Sequence, residues 1–308
     1  MLWGMRNVLR SLLLILVMVS PAAAWAAVGK LQQFTVQADD GLPLSLWARE
    51  IPRPRGVIVL IHGRTWSALP DFDLDVRGEH RSVMQSLNDA GYSAFALDLR
   101  GYGKSPRDAT GWMTPDRATL DVVAALEWLA RDKQIVKPTL LGWSQGSLVS
   151  QLTAQRHPGL ISNLILYGYP RNAASPAAVP AAPAAPLREV NTRERAASDF
   201  ITPQAITQNV IEAYVAAALK ADPVRVDWRD LEKYDELNPA KVVTPTLLIH
   251  GERDPYAPSD AQAALFTKLG TTDRQWVVLA GADHAALIEN SAPAFIAAIV
   301  AFVSRPHY

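Results

Sequence analysis

The sequence of 308 residues contains no cysteine, and this absence excludes several kinds of chemistry. A disulfide framework, a thiolate metal site and a catalytic cysteine all need a residue type that this chain does not have. Lipid attachment through an N-terminal cysteine is excluded as well. The folded chain must therefore be stabilised by its core alone, and hydrophobic residues make up 49% of the composition.

The sequence also lacks an excess of either charge, because 30 Lys and Arg residues balance 30 Asp and Glu residues. It contains no basic run with interleaved aromatic residues. Such a chain has no bulk attraction to nucleic acid or to anionic membranes, so we expect no nucleic-acid partner. The charged fraction of 19% and the length indicate one large globular domain with a modest insertion.

The N-terminal segment lacks a hydrophobic run that is long enough to span a membrane. Its apolar run, residues 11–19, is about half of the length that a bilayer span needs. Arg6 and Arg10 precede this run, and Ala-Trp-Ala at residues 24–26 fits a small-x-small cleavage site. The pattern predicts a signal peptide over residues 1–26. We therefore expect a secreted or periplasmic protein without stable membrane insertion after cleavage. An uncleaved membrane anchor is the alternative.

Segments typical of strands alternate with segments typical of helices along the rest of the chain. This alternation predicts an α/β fold with a mostly parallel central sheet that helices cover on both faces. Ligand sites in such sheets lie at the carboxyl ends of the strands. The predicted strands cover residues 34–37, 44–47, 57–61, 93–97, 139–142, 164–167, 246–250 and 275–279. The predicted helices of this core cover residues 81–90, 119–129, 147–155 and 293–302.

Residues 170–240 break the alternation and predict a cap inserted between two parts of the core, residues 27–169 and 241–308. Within the cap, residues 173–186 are almost entirely Ala and Pro, which favours an extended segment without a core of its own. For this part a linker without a role toward substrate is the favoured interpretation.

The later part of the cap is expected to contain a helix that begins at Thr202 or Thr207. Large aromatic residues accompany this helix, namely Tyr214, Trp228 and Tyr234. We interpret this part as a lid over the strand ends, and a linker without a role toward substrate is the alternative.

The most specific motif is Gly-Trp-Ser-Gln-Gly at residues 142–146, directly after a predicted strand and at the start of a predicted helix. A sharp turn from strand to helix holds the serine in a strained backbone conformation that projects its hydroxyl group. The residues two before and two after the serine approach each other closely, so both must lack a side chain. Ser144 is therefore the predicted nucleophile.

With this motif in this context, the chain resembles the α/β-hydrolase family. The His-Gly-Arg-Thr sequence at residues 62–65 is similar to the family's His-Gly loop after the third strand. The resemblance implies an oxyanion hole formed by the backbone N–H groups of Arg64 and Gln145, each worth about 3 kcal/mol of transition-state stabilisation. We interpret His62 as a histidine that braces this loop.

The resemblance also implies an acid and a base that follow the nucleophile in chain order. Asp254 follows a predicted strand at the position of the family's acid, and Glu252 is a weaker candidate. His284 lies between the last predicted strand and the last helix, at the position of the family's base. The implied triad is Ser144, His284 and Asp254, in which the imidazole takes the hydroxyl proton and the carboxylate fixes its tautomer. Asp283 is assigned a local structural role.

Other residues near these motifs carry weaker signals. Trp66, Trp143 and Arg64 could line an acyl pocket, with Arg64 available to an anionic substrate, and ordinary packing and solvation are the alternatives. The loop that begins at Asp98 resembles the family's loop after the fourth strand, and we interpret its charges as ties between loops.

From these residues we expect an exported serine hydrolase that cleaves small-molecule carboxylic esters through an acyl-enzyme on Ser144. No metal and no organic cofactor is expected. An aminopeptidase, amidase or acyltransferase on the same triad is one alternative, and an aminopeptidase would use acidic cap groups such as Glu212, Asp230 or Glu232 to hold the substrate amine. A non-catalytic binding module on the same scaffold is the other alternative.

Overall fold

The computed structural model describes residues 29–172 and 183–306, so the predicted signal peptide and most of the Ala/Pro segment lie outside the described residues. The strands are β1 (Leu31–Gln37), β2 (Pro43–Arg49), β3 (Val57–Ile61), β4 (Leu74–Val76), β5 (Glu79–Arg81), β6 (Ser93–Asp98), β7 (Trp112–Met113), β8 (Thr139–Trp143), β9 (Asn163–Tyr167), β10 (Asp227–Trp228), β11 (Thr246–Gly251) and β12 (Arg274–Leu279). The α-helices are α1 (Ala68–Phe72), α2 (Val83–Asp89), α3 (Pro115–Asp132), α4 (Gln145–Arg156), α5 (Arg193–Ala197), α6 (Gln208–Ala221), α7 (Ser259–Lys268) and α8 (Ala292–Val303). Short 3-10 helices cover Pro158–Leu160, Leu231–Glu236 and Pro239–Lys241.

Eight of the strands form one sheet in the order β1-β2-β6-β3-β8-β9-β11-β12. The β1–β2 hairpin and the β2–β6 pair are antiparallel, and all pairs from β6 across to β12 are parallel. The predicted α/β fold with a mostly parallel sheet is therefore confirmed. Because parallel strands point the same way, the loops that follow β3, β8, β11 and β12 emerge at one edge of the sheet.

The strand side chains alternate between two hydrophobic layers, one on each face of the sheet. In β3, Ile58 and Leu60 join the layer covered by α2 and α8, whereas Val59 and Ile61 join the layer covered by α3 and α4. Both layers are buried, which explains why the β3 sequence is apolar at every position rather than at every second one.

Among the described residues, no helix is both long enough and apolar enough to span a membrane.

The turn between β8 and α4 has the geometry that the glycine spacing predicts. Ser144 is the N-cap of α4 and has φ 54° and ψ −125°, a backbone conformation that residues with a side chain rarely adopt. A Cβ atom on Gly142 would overlap the carbonyl group of Gly146, and one on Gly146 would overlap the carbonyl oxygen of His62. Neither glycine can therefore be replaced without moving the backbone that holds the serine.

Several element boundaries differ from the sequence-based expectation. Helix α2 begins at Val83 rather than at residue 81, because Arg81 pairs with Leu74 in the short β4–β5 ribbon and the Ser82 hydroxyl caps the helix. Helix α3 begins earlier than expected, at Pro115, with the Thr114 hydroxyl as its cap. The short α1, the two ribbons β4–β5 and β7–β10, and helices α5 and α7 were not predicted.

The described part of the cap is held to the core by buried polar contacts. Of the two candidate caps, Thr207 begins α6, because its hydroxyl accepts a hydrogen bond from the N–H of Val210. At the other end of α6, the Asp222 carboxylate accepts hydrogen bonds from the N–H groups of Ser67 and Gly103, both at 2.8 Å. These contacts fix α6 beside the loops that follow β3 and β6. The division of the chain at residues 170 and 240 remains a prediction.

Candidate active site

The three residues of the predicted triad follow three strands of the parallel part of the sheet. Ser144 follows β8, Asp254 follows β11 and His284 follows β12. In the sheet, β9 separates β8 from β11, and β11 pairs directly with β12. The fold therefore brings residues that are distant in the sequence to one edge of the sheet, where ligands bind in this class of fold.

The imidazole of His284 is held by a buried carboxylate. His284 Nδ1 lies 2.8 Å from Asp254 Oδ2, and the two side chains are 4% and 0% exposed. The other carboxylate oxygen of Asp254 accepts hydrogen bonds from the N–H groups of Tyr256 at 2.9 Å and Ala257 at 3.2 Å. Because Asp254 Oδ2 accepts, Nδ1 carries the proton, and Nε2 is the ring nitrogen that remains available.

The backbone of His284 is fixed by two aromatic side chains. Its carbonyl oxygen accepts hydrogen bonds from Trp143 Nε1 at 3.0 Å and from the Tyr167 hydroxyl at 2.7 Å. Gly168 lies directly against the ring, and a Cβ atom there would approach His284 Cε1 to 3.0 Å. The elbow and the base are thus linked through Trp143, which precedes the serine.

The alternative acid, Glu252, has a different role. Its Oε2 atom accepts a hydrogen bond from the N–H of Gly281 at 2.8 Å and so ties the loop after β11 to the loop after β12. Asp98 is buried below another loop, where it accepts hydrogen bonds from Trp47 Nε1 at 2.8 Å and from the N–H of Lys104 at 3.0 Å. Burial raises the pKa of Asp98 to about 6. Both carboxylates act as ties between loops.

The two N–H groups assigned to the oxyanion hole make no hydrogen bond to any described residue, so both are available to a ligand. Gln145 is the first residue of α4, where a backbone N–H has no partner within the helix. The loop that carries Arg64 is held on both sides: the N–H of Gly63 donates to Asp71 Oδ2 at 3.3 Å, and the Tyr102 hydroxyl donates to the Arg64 carbonyl oxygen.

His62 braces the same loop, as the sequence suggested. Its Nδ1 donates to the carbonyl oxygen of Gly63 at 2.8 Å, and its Nε2 accepts from the N–H of Leu99 at 3.2 Å. The ring is buried, and this burial lowers the pKa of His62 to about 4. The imidazole is therefore neutral at physiological pH and takes part in the loop's hydrogen bonds rather than in proton transfer.

A cavity of about 760 Å³ opens above the elbow. Five of the predicted site residues line it, namely Ser144, His284, Trp143, Gln145 and Arg64. Asp254 is absent from the described lining and contacts His284, which belongs to it.

Trp66 is a correction to the sequence-based expectation. It is 2% exposed and packs in the hydrophobic core with residues such as Phe72, and it is absent from the described cavity lining. The chain turns into the core directly after Arg64 and Thr65, so closeness in sequence did not place the indole in the pocket. For Trp66 the structure supports the packing alternative.

The cap supplies cavity residues that the sequence analysis did not single out. Asp199, Arg195 and Arg225 line the cavity together with Tyr234, which was expected only as an aromatic residue of the lid. No motif surrounds these residues, and their position depends on how the cap folds back over the sheet. No signal in the sequence could have found them.

Comparison with known proteins agrees with this geometry. The sequence profile of the family described as serine aminopeptidase, S33 (Hydrolase_4) matches residues 52–291, which is more than half of the chain. The chain belongs to this family. It is a serine hydrolase of the α/β-hydrolase type.

Relatives and solved structures carry hydrolase names. The chain is 25% identical over 257 residues to a monoacylglycerol lipase of Mycolicibacterium smegmatis, a match that covers 75% of this chain and 81% of the lipase. It is 26% identical over 217 residues to the mouse serine hydrolase BPHL, covering 65% and 64% of the two chains. The esterase RhEst1 from Rhodococcus sp. ECU1013 has a TM-score of 0.63 at 23% identity and covers 88% of this chain and 98% of its own, which shows a shared fold.

In this hydrolase, a second carboxylate next to the base holds the cap. Asp283 Oδ2 accepts hydrogen bonds from the N–H groups of Ile201 at 3.1 Å and Thr202 at 2.6 Å. Its other oxygen accepts from the N–H of Ala285 at 3.1 Å. These contacts are consistent with the local structural role expected for Asp283, and they extend it to the cap.

Glu289 is buried beside Asp283, and the N–H of Asp283 lies 3.4 Å from Glu289 Oε2. Burial, together with the neighbouring Asp283 carboxylate, raises the pKa of Glu289 to about 8. At neutral pH the pair therefore carries a proton on Glu289.

Among the described residues, no group of three or more His, Cys, Asp or Glu side chains is arranged to hold a metal ion.

The Glu289 carboxyl predicts a stability that depends on pH. The folded state holds a proton that the unfolded chain releases near pH 4.5, so this contribution is present at low pH and is lost as the pH rises toward about 8. The free energy of unfolding of the wild type should fall as the pH rises from 5 to 8. We expect this fall to be smaller in Glu289→Gln, because the glutamine side chain cannot ionise. Urea unfolding at several pH values measures the difference.

The matched control for this experiment is Glu127→Gln, because Glu127 is exposed on α3. We expect it to retain the pH dependence of the wild type. Equal pH dependence in the wild type and in both variants would contradict a protonated Glu289 in the folded state.

Proposed function

We propose that this hydrolase cleaves carboxylic esters of small molecules through an acyl-enzyme formed on Ser144. The observation that carries the proposal is the 2.8 Å contact between His284 Nδ1 and Asp254 Oδ2 in a cavity that Ser144 also lines. Serine, imidazole and carboxylate in this arrangement are the groups that nucleophilic acyl transfer requires.

The residues act in sequence during one turnover. His284 Nε2 takes the proton of the Ser144 hydroxyl as the serine oxygen attacks the ester carbonyl carbon. The N–H groups of Arg64 and Gln145 stabilise the oxyanion, and His284 then donates its proton to the departing alkoxide. A water molecule then attacks the carbonyl carbon of the acyl-enzyme while His284 Nε2 takes its proton. His284 returns this proton to the departing Ser144 oxygen, and the carboxylic acid product is released. Asp254 keeps the ring in the Nδ1–H tautomer and stabilises the imidazolium.

An ester is favoured over an aminoacyl amide by the charges around the cavity. Glu212, Asp230 and Glu232 are absent from its described lining, and Glu212 is paired with Arg193 on the surface. Four of the lining residues are arginines, and a cationic substrate amine would be repelled by them. The name of the M. smegmatis relative, a monoacylglycerol lipase, also supports an ester bond.

We also propose that the enzyme is exported by means of residues 1–26 and acts in the periplasm or outside the cell. The basic residues Arg6 and Arg10 and the short apolar run over residues 11–19 support this proposal. The cap, residues 170–240, is proposed to select the substrate, because several of its residues line the cavity that Ser144 and His284 also line.

A substrate panel tests the reaction. We expect the purified enzyme to hydrolyse 4-nitrophenyl esters of short and medium acyl chains, with a burst of nitrophenolate equal to one per active site. Aminoacyl 4-nitroanilides should be turned over at least about a hundred-fold more slowly, because the amide is the harder bond and the amine meets a cationic cavity. A preference for aminoacyl anilides would contradict the proposal.

Replacement of the proposed acid separates Asp254 from its neighbour. We expect Asp254→Asn to lower kcat by on the order of 10⁴-fold, because the amide stabilises the wrong tautomer of His284 and no longer stabilises the imidazolium. Glu252→Gln, which alters a carboxylate of the same loop without contact to His284, is the matched control and should retain most of the activity. A larger loss in Glu252→Gln than in Asp254→Asn would assign the acid to Glu252.

A further inference from the structure

The cavity above Ser144 has an excess of positive charge. Four arginines and one aspartate, Asp199, are the charged residues of its described lining besides the catalytic histidine. The arginines are Arg64 from the loop after β3, and Arg171, Arg195 and Arg225 from the cap. Such a set of guanidinium groups around one space creates a positive field at the place where substrate must bind.

Two of the arginines have carboxylate partners within reach. Arg171 lies 2.5 Å from Asp235 Oδ1, and Arg195 lies 3.2 Å from Glu189 Oε2. The other two are poorly neutralised: Arg225 approaches Glu189 only to 3.9 Å and shares it with Arg195, and Arg64 has no ion pair among the described residues. The unbalanced charge is therefore concentrated on Arg64 and Arg225.

Arg225 is the more buried member of this pair, with a side chain that is 30% exposed. Burial lowers the pKa of Arg225, and the positive charges of Arg64 and Arg195 lower it further. The three guanidinium groups therefore repel one another in the free enzyme. An anion bound among them would remove this repulsion and gain charge-assisted hydrogen bonds.

Asp199, the one acidic residue of the described cavity lining, forms no ion pair with an arginine among the described residues. The charges of His284, Asp283 and Asp254 act on its carboxyl. Burial and the two neighbouring aspartates raise the pKa of Asp199, while His284 opposes this effect. Asp199 therefore leaves the charges of Arg64 and Arg225 without a paired carboxylate in the cavity.

We propose that the preferred substrates carry an anionic group, a carboxylate or a phosphate, that Arg225 and Arg64 bind while the ester carbonyl lies at Ser144. This inference rests on the proposed ester hydrolysis and specifies its substrate class. Arg225 anchors the anion because its partly buried guanidinium is the less solvated of the two, and Arg64 adds attraction at the oxyanion loop.

The test compares an anionic ester with a neutral one of nearly the same shape. The mono-4-nitrophenyl ester of adipic acid carries a free carboxylate, and its methyl ester does not. We expect kcat/KM to be about ten- to a hundred-fold higher for the anionic ester, mainly through a lower KM, because a charge-assisted contact is worth that much. Arg225→Gln should remove most of the preference, and Arg225→Glu should reverse it.

The matched control is Arg193→Gln, which removes an arginine of the cap that is absent from the described cavity lining and is paired with Glu212. The ratio of the two kcat/KM values should not change in this variant. Because the readout is a ratio, a general loss of folding or turnover cancels from it. Equal kcat/KM for both esters, or a preference that survives in Arg225→Glu, would overturn the inference.

Further substrates identify which anionic group the enzyme prefers and on which side of the ester it lies. 4-Acetoxybenzoate and its methyl ester place the charge on the alcohol side, and 4-acetoxyphenyl phosphate replaces the carboxylate by a phosphate. The larger of the two ester-pair ratios identifies the preferred position of the charge, and the rate for the phosphate compared with that for 4-acetoxybenzoate identifies the preferred group. Whichever position and group these substrates favour, the inference requires the preference in the adipate pair.

Binding without turnover separates this inference from the proposed function. We expect the intact adipate hemiester to bind Ser144→Ala more tightly than its methyl ester in calorimetry, and Ser144→Ala/Arg225→Gln to lose the difference. Absence of ester hydrolysis in the wild type together with this binding preference would contradict only the proposed function. Equal binding of the two esters would overturn the anion site.

Discussion

The hydrogen bond between Asp254 and His284 is the interaction on which the rest of the site depends. It joins the loops after β11 and β12, and further contacts keep both loops in place. Glu252 binds the N–H of Gly281 across the same two loops, and Trp143 binds the carbonyl oxygen of His284 from the elbow. The imidazole therefore has one orientation, and Nε2 is left for proton transfer. A ring free to rotate would lose the fixed geometry that general base catalysis needs.

The cap is tied to the loops that carry the reacting groups, so that cavity shape and catalytic geometry depend on each other. Asp283 holds the backbone of Thr202, and the Tyr214 hydroxyl donates to Asp71 Oδ1 at 2.9 Å, while Asp71 also holds the loop of the oxyanion hole. Arg225 follows the Asp222 contact and faces the cavity from this anchored segment. In the reaction proposed above, substrate selection and acyl transfer would both depend on this one connected set of loops.

The sequence predicted those parts that local patterns determine. The apolar run of β3, the glycines around Ser144 and the order of the three motifs follow from backbone sterics and strand burial, and they predicted the fold and the residues that meet at its edge. Contacts across long stretches of chain left no such pattern. Tyr214 and Asp71 are 143 positions apart, and neither lies in a motif. For the same reason the sequence did not predict that Arg225 lines the cavity. It also did not predict that Trp66 lies in the core, because its neighbours in the sequence do not indicate that position.

The proposed reaction requires that His284 activates Ser144 and no other hydroxyl group. A fluorophosphonate probe measures this directly, because it reacts with an activated serine and stays attached. Peptide mapping of the labelled protein should find one adduct, on Ser144, and the labelling rate should fall by orders of magnitude in His284→Ala at unchanged stability. Labelling that is absent from the wild type, that falls on another serine such as Ser147, or that proceeds equally fast without His284 would contradict the activation of Ser144 by His284.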